Sequence, residues 1–360
     1  MDQGIDVRRR SYFAASNSAN GFVSYYDTCF GTACGVQRLY VIKGGPGTGK
    51  SRFMTDVAAE AVMRGYEVDY YYCSSDDRSL DGIRLTRQGR TAERIGIIDG
   101  TAPHVWEPTL PGVQEELVNL GDFWDSHRLL EHADRIKQLD SMKKQCYEMA
   151  YRYLHAYGEM QRIGDRLIHA CTAHDKINAL ADRIVRQIPG GRVFFPEPAL
   201  QNAVGMNGRA HLPTFERAAD VLYRVDRHYG VEYAVTEALL NRSRDKKLSV
   251  LVSWNPICPW LIDGLFWPEA SLAVVIEPEE AVVPYRRIYL QHYTDASLVS
   301  GLRSEIRYAQ SVRRQLLEGA CAALDKASGY HFELEAIYTS AMDFAAKESF
   351  AKQFCHRILE

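Results

Sequence analysis

Over the first hundred residues, apolar positions come in short runs separated by turn residues. RLYVIK (38–43) is one such run, and it predicts a buried strand that stops at a glycine-rich segment. In SRFMTDVAAEAVMRGYEV, Phe53, Val57, Ala61 and Val62 fall at helical spacing, and Gly65 is placed to end the helix. VDYYYCSS (68–75) is rich in β-formers and predicts a second strand, and IGIID (95–99) predicts a third that ends on an aspartate. Strand, loop, helix, strand, strand is the order of an α/β fold.

From about residue 123 the period changes, and no proline occurs between Pro111 and Pro189. Ile136, Leu139, Met142, Cys146, Met149, Tyr153, Ala156, Met160, Ile163, Leu167 and Ala170 alternate steps of mostly three and four, which predicts one long helix with a continuous apolar seam. Gly158 and Gly164 are points where such a helix can bend or break. Ile177, Leu180, Ile184 and Ile188 predict a second helix over 175–188. The arm at 123–188 is either a hairpin packed on itself or the core, or a projection that binds a partner or closes as a lid. Residues 297–360 repeat the texture.

The chain also resembles itself. At an offset of 182, Arg10 and Phe13 fall on Arg192 and Phe195, Val68 on Val250, and Asp81-Gly82 on Asp263-Gly264. One residue further along, Leu39-Tyr40 meets Leu222-Tyr223, and IGIID meets LAVVI (272–276) after a loop deletion. The expected organisation is two halves, 1–190 with an arm at 123–188 and 191–360 with an arm at 297–360.

Composition narrows the classes. The 360 residues are 46% hydrophobic and 25% charged, typical of a globular chain with room for two cores. A net charge of −3 argues against a general nucleic-acid binder, and no apolar run of 18 residues predicts a membrane span. The N-terminus has no apolar h-region, so no signal peptide is expected. Cys29, Cys34, Cys73, Cys146, Cys171, Cys258, Cys321 and Cys355 form no C-x-x-C pair, which fits reduced packing residues and a cytoplasmic setting.

The glycine-rich segment carries the chemistry. Gly44-Gly45-Pro46-Gly47-Thr48-Gly49-Lys50-Ser51 matches G-x-x-x-x-G-K-[ST] at every fixed position. In that pattern backbone N–H groups converge on an anion at a helix N-terminus, Lys50 meets the β- and γ-phosphates of ATP, and Ser51 ligates Mg²⁺. Asp99, ending its strand at the same sheet edge, is the second magnesium partner, reached through a water, or else a turn residue. Asp76, Asp77 and Asp81 leave the second strand toward the same crevice, where they orient a water, accept a proton, bind metal or cap turns. Thr101 and His104 follow Asp99, and a histidine beside a proline is more often structural. Arg78, Arg84, Arg87, Arg90 and Arg94 offer an arginine to a phosphate or form a solvated loop. Residue 100 is glycine, so the glutamate that polarises water in motor ATPases is missing.

The counterpart of this segment in the second half is DRHYGVEY (226–233), where Glu232 and Tyr233 stand for the lysine and the hydroxyl. It has no glycine at the places of Gly44, Gly45, Gly47 and Gly49, and a glutamate repels phosphate, so this half is expected to keep the fold without the nucleotide.

KGGPGTGKS, YCSSDDRSLDG, IIDGTAPHVWEP and NLGDFWD (119–125), in that order, resemble a family of bacterial tandem P-loop proteins described as ATPases or ATP-binding proteins of poorly defined role. The resemblance covers most of residues 10–190. It implies duplicated P-loop NTPase-like domains of α/β class with mainly parallel sheets, each followed by a helical arm. It carries Gly44 to Ser51, and Asp99, into this chain as site residues. In that family the second half often has its own phosphate loop, and DRHYGVEY departs from it. The expected activity is Mg²⁺-dependent ATP binding with slow hydrolysis. The alternatives are a phosphotransferase with Asp76 or Asp77 as base, and a nucleotide-controlled protein whose arms bind a partner. The absence of an NKxD-type segment favours adenine over guanine.

Overall fold

The computed structural model describes residues 10–89, 93–276 and 283–360. The chain enters through β1 (Arg10–Phe13), a hairpin of β2 (Ala15–Ser18) and β3 (Gly21–Ser24), and the short helix α1 (Tyr26–Phe30). Next come β4 (Arg38–Lys43), α2 (Lys50–Met63), β5 (Glu67–Tyr72), β6 (Leu80–Arg87), β7 (Glu93–Asp99) and β8 (Glu115–Asn119). Six of the strands form one mixed sheet in the order β1-β5-β6-β7-β4-β8. Within it β6 alone runs against its neighbours, and the other pairings are parallel. Helices α3 (Ser126–Glu131), α4 (Ala133–His169) and α5 (His174–Val185) follow.

The second half runs through the same order of elements. Its opening strand is β9 (Phe195–Pro198), then the hairpin β10 (Asn202–Gly205) and β11 (Gly208–His211), α6 (Thr214–Ala218) and β12 (Val221–Val225). It continues with α7 (Val231–Asp245), β13 (Ser249–Trp254), β14 (Ile262–Trp267), β15 (Leu272–Ile276) and β16 (Arg286–Ile288). The chain closes with α8 (Ala296–Gly301), α9 (Arg303–Ser340) and α10 (Phe344–Leu359). The sheet order is β9-β13-β14-β15-β12-β16, again with one reversed strand, β14. A register shift falls between Tyr71 and Tyr72 in one sheet and between Ser253 and Trp254 in the other, 182 residues on.

Strand register corrects two expectations. Arg10 lies beside Asp69 and Glu197 beside Leu251, so Arg10 corresponds to Glu197 and Phe13 to Leu200, not to Arg192 and Phe195. The turn between α1 and β4, seven residues at 31–37, shrinks to Ala219 and Asp220 between α6 and β12, and a four-residue strand carries too little pattern to reveal the shift. The second correction is β6. The arginines expected in one loop are dispersed: Arg84 and Arg87 sit on β6, Arg94 on β7 and Arg78 in the preceding turn, while Arg90 lies outside the described residues.

The inner faces of the two sheets share one core with α1 and α6. Phe30, Val41, Tyr71 and Ile98 come from one side, and Phe215, Leu222, Phe266 and Val275 from the other. On the outer faces the arms are exchanged. α10 lays Phe354, Ile358 and Leu359 against Phe53, Met54 and Val57 of α2, in the first half. α5 lays Ile177, Ala181 and Ile184 against Val235 and Leu239 of α7, in the second. The packed units therefore do not follow the midpoint of the chain.

The long helices α4 and α9 lie antiparallel along each other, with Ala150 and Leu154 against Ala320 and Leu324. Arg135, near the start of α4, forks onto Glu333 near the end of α9 at 2.7 and 2.8 Å. Neither glycine breaks α4. At Gly158 the helix passes so close to the β2–β3 turn that a Cβ would lie 2.5 Å from that of Ala19. Among the described residues no helix is long and apolar enough to cross a membrane, and all eight cysteines are free.

Candidate functional site

The glycine-rich segment lies where the sequence places it, between the buried strand β4 and the first turn of α2. Gly47 (φ +70°) and Gly49 (φ +78°) take left-handed backbone, which a side chain disfavours. Thr48 is fully buried, and its Oγ1 donates to the Gly45 carbonyl at 2.9 Å, closing the turn. Lys50 Nζ folds back over the turn, donating to the Gly44 and Gly45 carbonyls at 3.0 and 2.8 Å.

β7 pairs with β4 so that Asp99 stands beside Ile42, at the strand ends from which the loop departs. Asp99 Oδ1 accepts from the Thr101 amide and hydroxyl at 2.9 and 2.6 Å. Its Oδ2 lies 3.5 Å from Lys50 Nζ. Lysine, loop carbonyls and aspartate thus meet at one sheet edge. Ser51, on the first turn of α2, accepts the Leu80 amide at 2.9 Å, which ties the helix start to β6.

Asp76 and Asp77 are drawn into the turn before β6. Asp76 accepts from the Arg78 amide at 3.3 Å and the Ser79 hydroxyl at 3.1 Å, and Asn207 from the β10–β11 turn donates to both aspartates at 3.3 and 2.7 Å. These are contacts of a capped turn braced against the other half. His104 is buried, stacked on Tyr26 with centroids 4.7 Å apart, and its Nε2 is 2.9 Å from Asp81 Oδ2. Burial works against its charge, but Asp81 outweighs it and raises the imidazole above its ordinary pKa.

Sequence reasoning missed what covers the loop. The end of α9 and the start of α10 sit over it: Thr339 Oγ1 donates to the Gly47 carbonyl at 3.2 Å, and a Cβ on Gly45 would lie 2.7 Å from the Tyr338 ring. At Gly49 it would meet Lys347 Nζ at 2.6 Å, and Lys347 is a buried lysine whose pKa burial lowers. Glu335 presents a carboxylate to the same turn. His331, 3.5 Å away, holds that carboxylate below its ordinary pKa, and Lys50 and the Gly47 amide add to the effect while burial opposes it. An acid on the last arm, far away in sequence, thus lies beside the first loop, its main-chain oxygen 2.5 Å from where a Cβ on Gly47 would be. No local spacing signals this.

In the second half, β12 and α7 flank a shorter turn. Val225 stands beside Ile276, as Ile42 stands beside Asp99, so an isoleucine occupies the position of the strand-end aspartate. Glu232 is buried, and its Oε2 accepts the His228 and Gly230 amides at 2.9 and 3.0 Å. The turn therefore closes on its own carboxylate.

Compared with known proteins, the chain matches no family model, no curated protein and no solved structure.

Proposed function

We propose that this chain is a Mg²⁺-dependent ATP-binding protein with slow ATPase activity, and that its nucleotide occupies the turn of residues 44–51 in the first of two duplicated P-loop-like halves. The observation that carries the proposal is the meeting of Lys50, the left-handed turn and Asp99 at the carboxyl end of two adjacent parallel strands. The amides and the ammonium recognise the phosphates, and Ser51 and Asp99 hold the Mg²⁺ that bridges them. Matched strand orders, the repeated register shift and the equal order of elements support duplication. The Glu232 plug and Ile276 support a single site per chain. Calorimetric titration with ATP and Mg²⁺ tests this: the expected stoichiometry is one, with binding weakened by EDTA, and two equal sites would contradict it.

A second reading is favoured by Glu335. A triphosphate entering the turn meets the end of α9, where Tyr338, Thr339 and the Glu335 main chain already cover Gly45 and Gly47, so nucleotide binding and the docking of α9 and α10 compete. ATP then acts as a switch on the arm, and turnover is secondary. Glu335→Ala is expected to tighten ATP binding about tenfold, since a negative charge beside the phosphates is removed. Weaker binding in this variant would instead make Glu335 part of the nucleotide site. The phosphotransferase alternative rests on Asp76 and Asp77, whose carboxylates are already engaged by the turn and by Asn207.

A further inference from the structure

Cys73 follows β5, Asp81 lies on β6 and His104 follows β7, and the three side chains converge. One ligand atom from each lies within 4.8 Å of the other two. Asp81 and His104 are buried and Cys73 is partly so. The surroundings do not satisfy the cluster. Asp81 Oδ2 and His104 Nε2 are 2.9 Å apart, yet not aligned for a hydrogen bond, and neither Asp81 Oδ2 nor His104 Nδ1 has a hydrogen-bond partner among the described residues. Such orphans in a buried site call for an explanation.

The other sheet provides an internal comparison. Asp263 takes the place of Asp81, Asn255 that of Cys73, and Asn202 that of Ala15. There the aspartate accepts amide protons from both asparagines at 2.9 Å. In the first sheet the two amides are replaced by a thiol and a methyl, and an imidazole is added. Amide donors neutralise a carboxylate. A thiol, a carboxylate and an imidazole chelate.

We propose that Cys73, Asp81 and His104 bind a divalent cation of the zinc class, leaving one coordination position for water or a ligand oxygen. A thiolate and an imidazole select Zn²⁺ or Co²⁺ over Mg²⁺, which takes an octahedron of oxygens. Tetrahedral zinc places its ligands about 3–4 Å from one another, within a small adjustment of the present spacing. Binding displaces the thiol proton and any proton on the imidazole. The site is separate from the Mg²⁺ of the nucleotide and stands whether or not ATP binds.

The test uses the full-length, reduced protein and needs no nucleotide. Titration with Co²⁺ is expected to produce one equivalent of a thiolate-to-metal charge-transfer band that Zn²⁺ abolishes. The band should vanish in Cys73→Ser and persist in Cys321→Ser. A measurement on the unmodified protein guards against a misfolded variant: Zn²⁺ should slow alkylation of Cys73 at least tenfold, read by mass mapping of the labelled peptides. No charge-transfer band in the wild-type protein, or a Cys73 alkylation rate indifferent to Zn²⁺, overturns the proposal.

Discussion

Replacing Lys50 by Ala is expected to weaken ATP binding about 100-fold in calorimetric titration with Mg²⁺. The ammonium now holds the Gly44 and Gly45 carbonyls and lies 3.5 Å from Asp99. In the complex it exchanges these for phosphate oxygens. Losing two charge-assisted bonds, at about 1.5 kcal/mol each, gives about 3 kcal/mol and hence that factor. Glu232→Ala in the second half is expected to leave the affinity unchanged, because that turn closes on its own carboxylate. If Lys50→Ala binds as tightly as wild type while Glu232→Ala does not, the nucleotide has been assigned to the wrong half.

The largest loss of stability is expected at Arg84, not at the phosphate turn. Arg84→Leu costs about 3 kcal/mol, because it strips half-buried Glu197 of its cation and leaves buried Asp69 with Arg10 alone. The guanidinium meets Asp69 at 2.9 Å on the neighbouring strand and Glu197 at 2.6 Å on β9 of the other sheet. It also donates to the Cys29 carbonyl at 3.2 Å. Urea unfolding at neutral pH measures the difference. A change below about 1 kcal/mol, the range of an exposed ion pair, would mean that the arginine does not bind the two sheets together.

Arg84 also shows where sequence reading stopped. LDGIRLTR contains charged residues that suggest a loop, yet β6 is buried along most of its length, with Arg84 finding its partners on other strands. Pairing makes a charge compatible with the interior, and the partner, Glu197, is 113 residues away. The glycine-rich turn between β4 and α2 was legible because its eight residues are consecutive and its geometry is local. The seams of the arms were legible too, but periodicity says that a helix has a buried face and not what covers it. Hence the exchange of α5 and α10 went unseen, and with it Glu335 and Lys347 over the loop. Glu232 stood out in the sequence as an acid in the counterpart turn, though not as the carboxylate that accepts that turn's own amides. Cys73, Asp81 and His104 follow no metal-ligand spacing, since three successive strands have to fold before they meet.

The exchanged arms impose an order on biosynthesis. α10 is translated after the whole second half, yet Phe354 and Ile358 complete the wall around α2. A ribosome that has released residues 10–190 has therefore produced helix α2 with one side of its hydrophobic lining still unmade. The first half to be synthesised is the last to be finished.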